Sequence, residues 1–411
     1  MTFFRLILRE LASQKMRLAL TTGAVAWGTI AITLLLAFGE GLERQMIRGT
    51  RGLGENIVIM GGGQTGRAHA GLPSGRRIAL SMDDMHLLRA AFPEITSITA
   101  EYNTWGATVG YNGRDHSAPL SGTTPEFGAM RNHIPAAGGR FINALDEEQK
   151  RRVAFVGDKI AGEVFGEQDP VGQMITINGT PFTVIGVMQK KQQNNMYMGP
   201  DNNKLTIPAS TFQAMFGPRY VRRIIYQMTD GLTSEDLEPR VLAFFATRFR
   251  YHPEDDRALW FWDVAENERT TRMVFLGVNG FMFFIGAMTL LISGVGIANI
   301  MYVAVRERTR EIGTKMALGG ERRHIIWQFL CEAMAIALSG GLLGMLLSAA
   351  LIKAAGYLPP EKFSDLFGQP EITWFWTLLT VAILSLVGFF AGYFPARKAA
   401  SVNPVEALRY E

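Results

Sequence analysis

The sequence predicts a membrane protein of four transmembrane α-helices, with a large mixed α/β extracytoplasmic domain inserted between helices 1 and 2. Three observations predict it. Four stretches, 18–38, 273–305, 325–352 and 374–394, are apolar and, but for Glu332, uncharged. Each reaches the ~20 residues needed to cross a hydrocarbon core ~30 Å thick. Residues 39–272, between the first and second, have the polarity of a soluble domain. A mean hydropathy of +0.10 fits a few spans plus a water-soluble domain and is too polar for a compact many-helix transporter.

Residues 1–17 read as a cytoplasmic amphipathic helix. Phe4, Leu8 and Leu11 recur at helical spacing, with Arg5, Arg9 and Lys15 between them. Such a helix either lies in the headgroup layer or simply extends the first span. The run 18–38 is too long for the core of a signal peptide, and no clear A-x-A site follows, so it reads as a retained anchor. Residues 39–272 then form a stalk and the outer domain. Residues 56–60 read as a strand followed by a flexible turn at Gly61-Gly62-Gly63. Ser81 and Asp84 form a capping box that opens a helix running to about Ala91. Strands are expected at 153–156, 174–177, 182–187, 204–208 and 223–228, and helices at 158–165 and 234–250. Asn178-Gly179 marks a hairpin. Residues 190–203 read as a mobile loop, and the insert is long enough for two small subdomains. The second apolar run, 273–305, would make a helix of about 50 Å, well beyond the ~30 Å core. It is therefore expected to project outward beside a continuation of helix 1 over 39–50. Span three covers 325–352, a short external loop 353–373, span four 374–394 and a cytoplasmic tail 395–411.

Orientation follows the positive-inside bias. Arg5, Arg9, Lys15 and Arg17 precede span one against a single acid, Glu10. Arg306, Arg308, Arg310, Lys315, Arg322 and Arg323 lie between spans two and three, and Arg397, Lys398 and Arg409 follow span four. In the link between spans three and four, Lys353 and Lys362 are offset by Glu361, Asp365 and Glu371. Both termini and the 306–324 loop are thus expected in the cytoplasm, and the insert on the periplasmic or extracellular side of a bacterial inner membrane.

Little in the chain points to catalysis. No Walker A pattern occurs. His69, His86, His116, His133, His252 and His324 are scattered, without the i, i+4 pairing of a zinc site. There is no G-x-S-x-G, and Cys331, the single cysteine, falls in an apolar span where a small packing residue is expected. Asp83-Asp84 and Asp255-Asp256 read as solvated or capping carboxylates. The net charge of +4 is spread along the chain, with no basic tract interleaved with aromatics, so nucleic acid is not a partner. No catalytic, metal-binding or cofactor-binding residue is expected. Glu332 lies about 12 Å into the third span from its 324 end. A lone carboxylate makes no proton relay, so it reads as an intramembrane structural contact.

The strongest signal is the loop. Residues 305–320 continue the second span as a charged helix, with Glu311 and Lys315 at the favoured i, i+4 spacing and Gly319-Gly320 as its end. A short helix parked at the membrane surface can transmit a push from a cytoplasmic partner. Arg306, Glu307, Arg310, Glu311, Gly313, Lys315, Met316, Ala317, Gly319, Gly320 and Arg323 are the candidate coupling residues.

These residues carry a resemblance. RERTREIGTKMALGGERRHI (306–325) is similar to the cytoplasmic signature of the MacB/FtsX-like ABC transporter permease family. GYFPARKAASVNPVEALRYE (392–411) resembles the terminal motif of that family, and LILRELASQKMRLALTTGAVAWG (6–28) its N-terminal helix and first span. VAFVGDKIAGEVFGEQDPVGQMITINGTPFTVIGVM (153–188) resembles the MacB-type periplasmic core domain. Glu332 matches a carboxylate common in the third span of such permeases. The resemblance implies a permease working as a dimer by mechanotransmission. An ABC ATPase subunit on a separate chain would bind ATP and Mg and dock on the 306–324 loop. It further implies a second permease copy (homodimer, or heterodimer with a paralogue) and, for efflux members, a periplasmic adaptor and an outer-membrane channel. Efflux is the leading expectation; the alternatives are lipoprotein release and non-transporting regulation of a periplasmic cell-wall hydrolase.

Overall fold

The computed structural model describes residues 15–191, 193, 199–229, 231–357 and 368–402. The amphipathic helix expected before residue 15, the last nine residues of the terminal motif, residues 358–367 of the 353–373 loop and the centre of the 190–203 segment lie outside the described residues. The chain folds as two units, one spanning Met46–Thr271 and one made of the segments before and after it.

The flanking segments form a helical unit. Four helices are long and apolar enough to cross a membrane: α1 (Lys15–Arg51), α8 (Val264–Glu307), α10 (Arg322–Ala355) and α11 (Trp374–Ala400). α1 has 37 residues and α8 has 44. At 1.5 Å per residue they measure about 55 and 66 Å, so both run well past their apolar stretches. Val25 and Ile32 of α1, Ile297 and Met301 of α8, Phe329 and Ile336 of α10 and Leu384 of α11 share one buried core. In lipid, apolar burial does little to drive helices together, so close packing must hold them, and small residues permit it. A Cβ on Gly340 of α10 would stand 2.8 Å from the Cβ of Val25, and one on Gly392 of α11 would stand 2.6 Å from the Cβ of Ala333. At the far end of these helices Arg44 pairs with both Glu40 and Glu371, and Asn279 donates to Glu43 at 3.3 Å.

Met46–Thr271 is built on a single nine-stranded sheet, ordered β3-β7-β4-β6-β5-β2-β8-β1-β9. Its strands are β1 (Ile57–Gly62), β2 (Ile95–Tyr111), β3 (Arg114–Thr123), β4 (Val153–Val156), β5 (Met174–Ile177), β6 (Thr180–Val187), β7 (Leu205–Pro208), β8 (Arg223–Met228) and β9 (Leu259–Asp263). β2 also pairs with β3, so six strands close on themselves and the other three extend from β2. Two separate subdomains therefore do not form. The 17-residue β2 belongs to both parts, pairing with β8 through Ile95–Glu101 and with β5 through Val109 and Gly110. Ring closure removes free edges that would otherwise template foreign strands. The helices of this unit are α2 (Met82–Ala91), α3 (Glu126–Met130), α4 (Ala144–Glu148), α5 (Asp158–Phe165), α6 (Ala209–Phe216) and α7 (Ser234–Phe249).

Local chemistry fixes several of these elements. Ser81 and Asp84 form the expected reciprocal capping box of α2. Asn178 and Gly179, at φ 48° and 79°, make the tight turn between β5 and β6. The expectation of a turn at Gly61–Gly63 is corrected. Gly61 and Gly62 are ladder residues opposite Trp260 and Leu259, and they are glycine because a Cβ on Gly61 would fall 2.4 Å from the Trp260 ring. Their role is close approach, not flexibility.

A buried ionic cluster pins both ends of the 190–204 segment. Asp201 accepts from Arg131 at 2.9 Å, Lys191 at 2.9 Å and Lys204 at 3.0 Å, and lies 3.3 Å from His133 Nε2. Burial alone would raise the Asp201 carboxyl, but Arg131, Lys204 and Lys191 override it and hold it well below the ordinary carboxylate range. Burial pushes His133 down to about 4, against the opposing pull of Asp201. It also lowers Lys191 to about 8.

The candidate coupling loop

The loop begins with a break. α8 ends at Glu307, and Arg308 leaves helical geometry at φ −101° and ψ 10°. A second helix, α9 (Thr309–Ala317), follows this one-residue break, where one continuous helix was expected. A helix end leaves carbonyls without partners. Here the Thr309 hydroxyl lies 3.0 Å from the carbonyl oxygen of Val305 and 2.9 Å from that of Arg306, where it serves as a local substitute donor.

Arg308 holds this bend in place. Its guanidinium donates to Glu332 Oε1 of α10 at 3.0 Å. Glu332 is 3% exposed. A carboxylate placed among apolar helices costs several kcal/mol unless paired, so it fixes the position of whatever cation it meets. The structural reading of Glu332 thus acquires its partner. Arg308 itself was absent from the candidate set. The signal was present as a lone acid in span three and an arginine run just before it, but pairing the two requires the bend.

The other end of α9 closes in a Schellman motif. Gly320 N donates to Lys315 O at 2.9 Å and Gly319 N to Met316 O at 3.1 Å, with Gly319 at φ +90°. This is the expected stop at Gly319-Gly320. Between bend and stop, the candidate residues divide. Ile312 and Gly313 are buried and Met316 is half-buried, all against the helical core. Arg306, Glu307, Arg310, Glu311, Lys315, Ala317, Gly319, Gly320 and Arg323 are exposed. Met316 and Gly313 therefore seat the helix and do not contribute to its outer face. The outer side gains Leu318, 84% exposed, which was not among the candidate residues.

The ion pairs differ from the expected one. Lys315 hydrogen-bonds Gln328 of α10 at 3.4 Å rather than Glu311, because the turn brings α10 alongside and an exposed i, i+4 pair has little strength to compete. Glu307 pairs with Arg17 of α1 at 3.1 Å, and Arg323 pairs with Glu321. Lys398 of α11 lies 5.6 Å from the centre of the Tyr302 ring. The result is a short helix gripped at its base by buried groups, with a charged face and one apolar tip left outward. Among the described residues no group of three or more His, Cys, Asp or Glu is arranged to hold a metal.

Comparison with known proteins places this arrangement. Residues 18–244 match the family described as MacB-like periplasmic core domain, and residues 283–404 match FtsX-like permease C-terminal. The chain is 29% identical over 411 residues to a macrolide export ATP-binding/permease protein MacB of Bdellovibrio bacteriovorus, covering 98% of this chain and 61% of that protein. It is 31% identical over 402 residues to a pyoverdine export ATP-binding/permease protein PvdT of Pseudomonas syringae pv. syringae, covering 97% of this chain and 57% of that protein. The chain thus spans about three fifths of the length of these curated relatives. Among solved structures, the periplasmic region of MacB from Actinobacillus actinomycetemcomitans aligns at 19% identity and a TM-score of 0.43, covering 54% of this chain and 95% of that one. The extracellular domain of the noncanonic ABC-type transporter YknZ from Gram-positive bacteria aligns at 14% identity and a TM-score of 0.41, covering 51% of this chain and all of that one. By its two family matches, which together take in most of its length, the chain belongs to the MacB-like family, with a periplasmic core domain followed by an FtsX-like permease region.

Proposed function

We propose that this chain is the permease part of an ATP-driven ABC export system that works by mechanotransmission. In this reading it sits in the bacterial inner membrane with both termini and the 306–324 loop in the cytoplasm. An ABC ATPase domain docks on the outward side of the 306–324 loop: Arg306 and Glu307 at the end of α8, Arg310, Glu311 and Lys315 on α9, and Leu318 just after it. Two permease copies pair, so that closure of two ATPase domains on ATP moves both loops together. ATP and Mg stay with the ATPase; this chain supplies no catalytic group. A periplasmic adaptor and an outer-membrane channel complete the path for an efflux substrate.

The observation that supports this best is the two-sided build of α9. The Arg308–Glu332 pair at 3.0 Å and the buried Ile312 tie it to the helical core, while its other face is charged, exposed and tipped by Leu318. A rigid lever with a free contact face is what force transfer requires. The lengths of α1 and α8 support the same reading, since long continuous helices carry displacement without absorbing it. Relatives named as export ATP-binding/permease proteins, aligned along 97–98% of this chain, favour export over the alternatives.

The experiment is purification of the tagged chain from its native membrane under complex-preserving conditions, followed by mass spectrometry and an ATPase assay. An ABC ATPase with a membrane-fusion adaptor is the expected result, and Glu311→Lys should leave assembly of the permease intact while abolishing coupled output. Recovery of a second, different permease would redirect the reading to lipoprotein release, and recovery of a cell-wall hydrolase to mechanical regulation. Absence of any ABC ATPase domain would contradict it.

A further inference from the structure

A cleft in the Met46–Thr271 unit has the build of a ligand site, and nothing in the coupling reading uses it. Its volume is about 510 Å³, and its lining includes Arg77, Arg222 and Arg223 but no aspartate or glutamate. Small-molecule sites typically measure about 300–1,000 Å³. The cleft lies where β2, β8, β1 and β9 run side by side, and close packing of the sheet shapes its walls.

Two glycines seat the aromatic walls. The Trp260 indole lies directly on Gly61, its cross-strand partner, where a Cβ would stand 2.4 Å from the ring. Phe212 lies as close to Gly122, 2.4 Å from an added Cβ, and stacks on Tyr102 with ring centroids 5.7 Å apart and planes within 8°. The Arg223 guanidinium sits 5.8 Å from the Trp260 ring centre, the arrangement of a cation over an aromatic face. Arg223 is steadied from below by Glu101, 4.0 Å away, whose other oxygen accepts from Ser121 at 2.9 Å. Arg77 and Arg222 are exposed and, among the described residues, form no ion pair. Two further lining groups, the Tyr102 hydroxyl and the Asn103 amide nitrogen, have no hydrogen-bond partner among the described residues.

With Arg223 balanced by Glu101 beneath it, Arg77 and Arg222 leave a net positive field on a concave surface whose lining holds no carboxylate, which favours an anion. Their planar forks match carboxylate, sulfonate and phosphate oxygens two at a time. The half-exposed faces of Trp260 and Tyr220 add a surface for a flat apolar group. We propose that this cleft binds a small organic anion that joins an acidic head, held by Arg77 and Arg222, to a planar ring laid against Trp260.

The proposal does not depend on ATPase coupling and is testable on the full chain in lipid nanodiscs. The chain is labelled with 5-fluorotryptophan, and Trp260→Phe identifies the Trp260 ¹⁹F resonance. Phenylphosphonate, inorganic phosphate and benzyl alcohol are titrated separately. Phenylphosphonate should shift the Trp260 resonance saturably. Phosphate should bind at least about tenfold more weakly, and benzyl alcohol should give no saturable shift. Arg77→Gln and Arg222→Gln should each weaken phenylphosphonate by about tenfold, the usual loss for one charge-assisted hydrogen bond. Both residues lie at the surface, so the ligand-free spectrum should stay unchanged, which separates lost binding from lost fold. No saturable shift, or an affinity in either arginine variant unchanged from that of the unsubstituted chain, would overturn the proposal. Equal binding of phosphate and phenylphosphonate would overturn its aromatic half and leave a plain anion site.

Discussion

Arg308 and Glu332 carry the sharpest consequences at the scale of single residues. Removing one member of a buried pair strands the other charge, a loss of about 3 kcal/mol or more. Arg308→Ala should therefore lower the thermal midpoint of the purified permease, whereas Arg308→Met combined with Glu332→Leu should recover most of that stability by replacing the pair with apolar contact. If the pair also fixes the angle of α9, the double variant should remain uncoupled from ATP hydrolysis although stably folded. Recovery of full coupling would reduce the pair to a packing element. His133 gives a second test, through pH. Its ordinary value of 6.5 falls to about 4 in the fold because it is buried among Phe127, Phe141 and Phe155. Between these limits the unfolded chain takes up a proton that the folded chain refuses. Stability is thus complete above pH 6.5 and lost as pH falls toward 4, by about 3 kcal/mol in all. Hydrogen exchange at residues 127–141, corrected for intrinsic rates, should accelerate over that window, and His133→Phe should remove the dependence. Asp201 acts in a lower window, below 3.8, so its protonation does not confuse the reading.

At the scale of elements, the proposed function makes α9 a lever with separable parts. Leu318→Asp changes an exposed side chain, so stability should hold within about 0.5 kcal/mol while ATPase docking weakens. Met316→Asp puts a charge against the helical core and should instead loosen α9, seen as faster exchange of its amides. Gly319→Val forces a branched residue to φ +90° and should cost roughly 1–2 kcal/mol while misdirecting the turn into α10. How far such elements could be read in advance depended on how local their cause is. The capping box of Ser81, the Asn178-Gly179 hairpin and the Gly319-Gly320 stop are set within a few residues and were legible. So were the four apolar helices, because length and hydropathy suffice. β2 and β3 were not anticipated. Their residues 95–123 are rich in threonine, serine and glycine, and the strands draw their stability from ladder partners far along the chain. Asn112-Gly113, at φ 48° and 73°, was the local hairpin signal that could have found them. The break at Arg308 was equally hidden, since its cause lies 24 residues away in Glu332.

At the scale of the whole molecule, the sheet-based unit Met46–Thr271 is inserted in sequence between the two parts of the helical unit, and the coupling candidates lie wholly in the latter. If the chain works by the proposed mechanotransmission, changes at α9 should alter output without altering substrate recognition, because no candidate coupling residue lies in the Met46–Thr271 unit. The central claim is that the outer face of α9 receives an ABC ATPase, and site-specific photo-crosslinking in the native membrane tests it most directly. A benzophenone amino acid at position 318 should yield an adduct with an ABC ATPase domain, diminished by Glu311→Lys, while the same probe at exposed Trp105 should yield none. An ATPase adduct formed from position 105, or its absence from position 318 in a complex that still hydrolyses ATP, would contradict the claim.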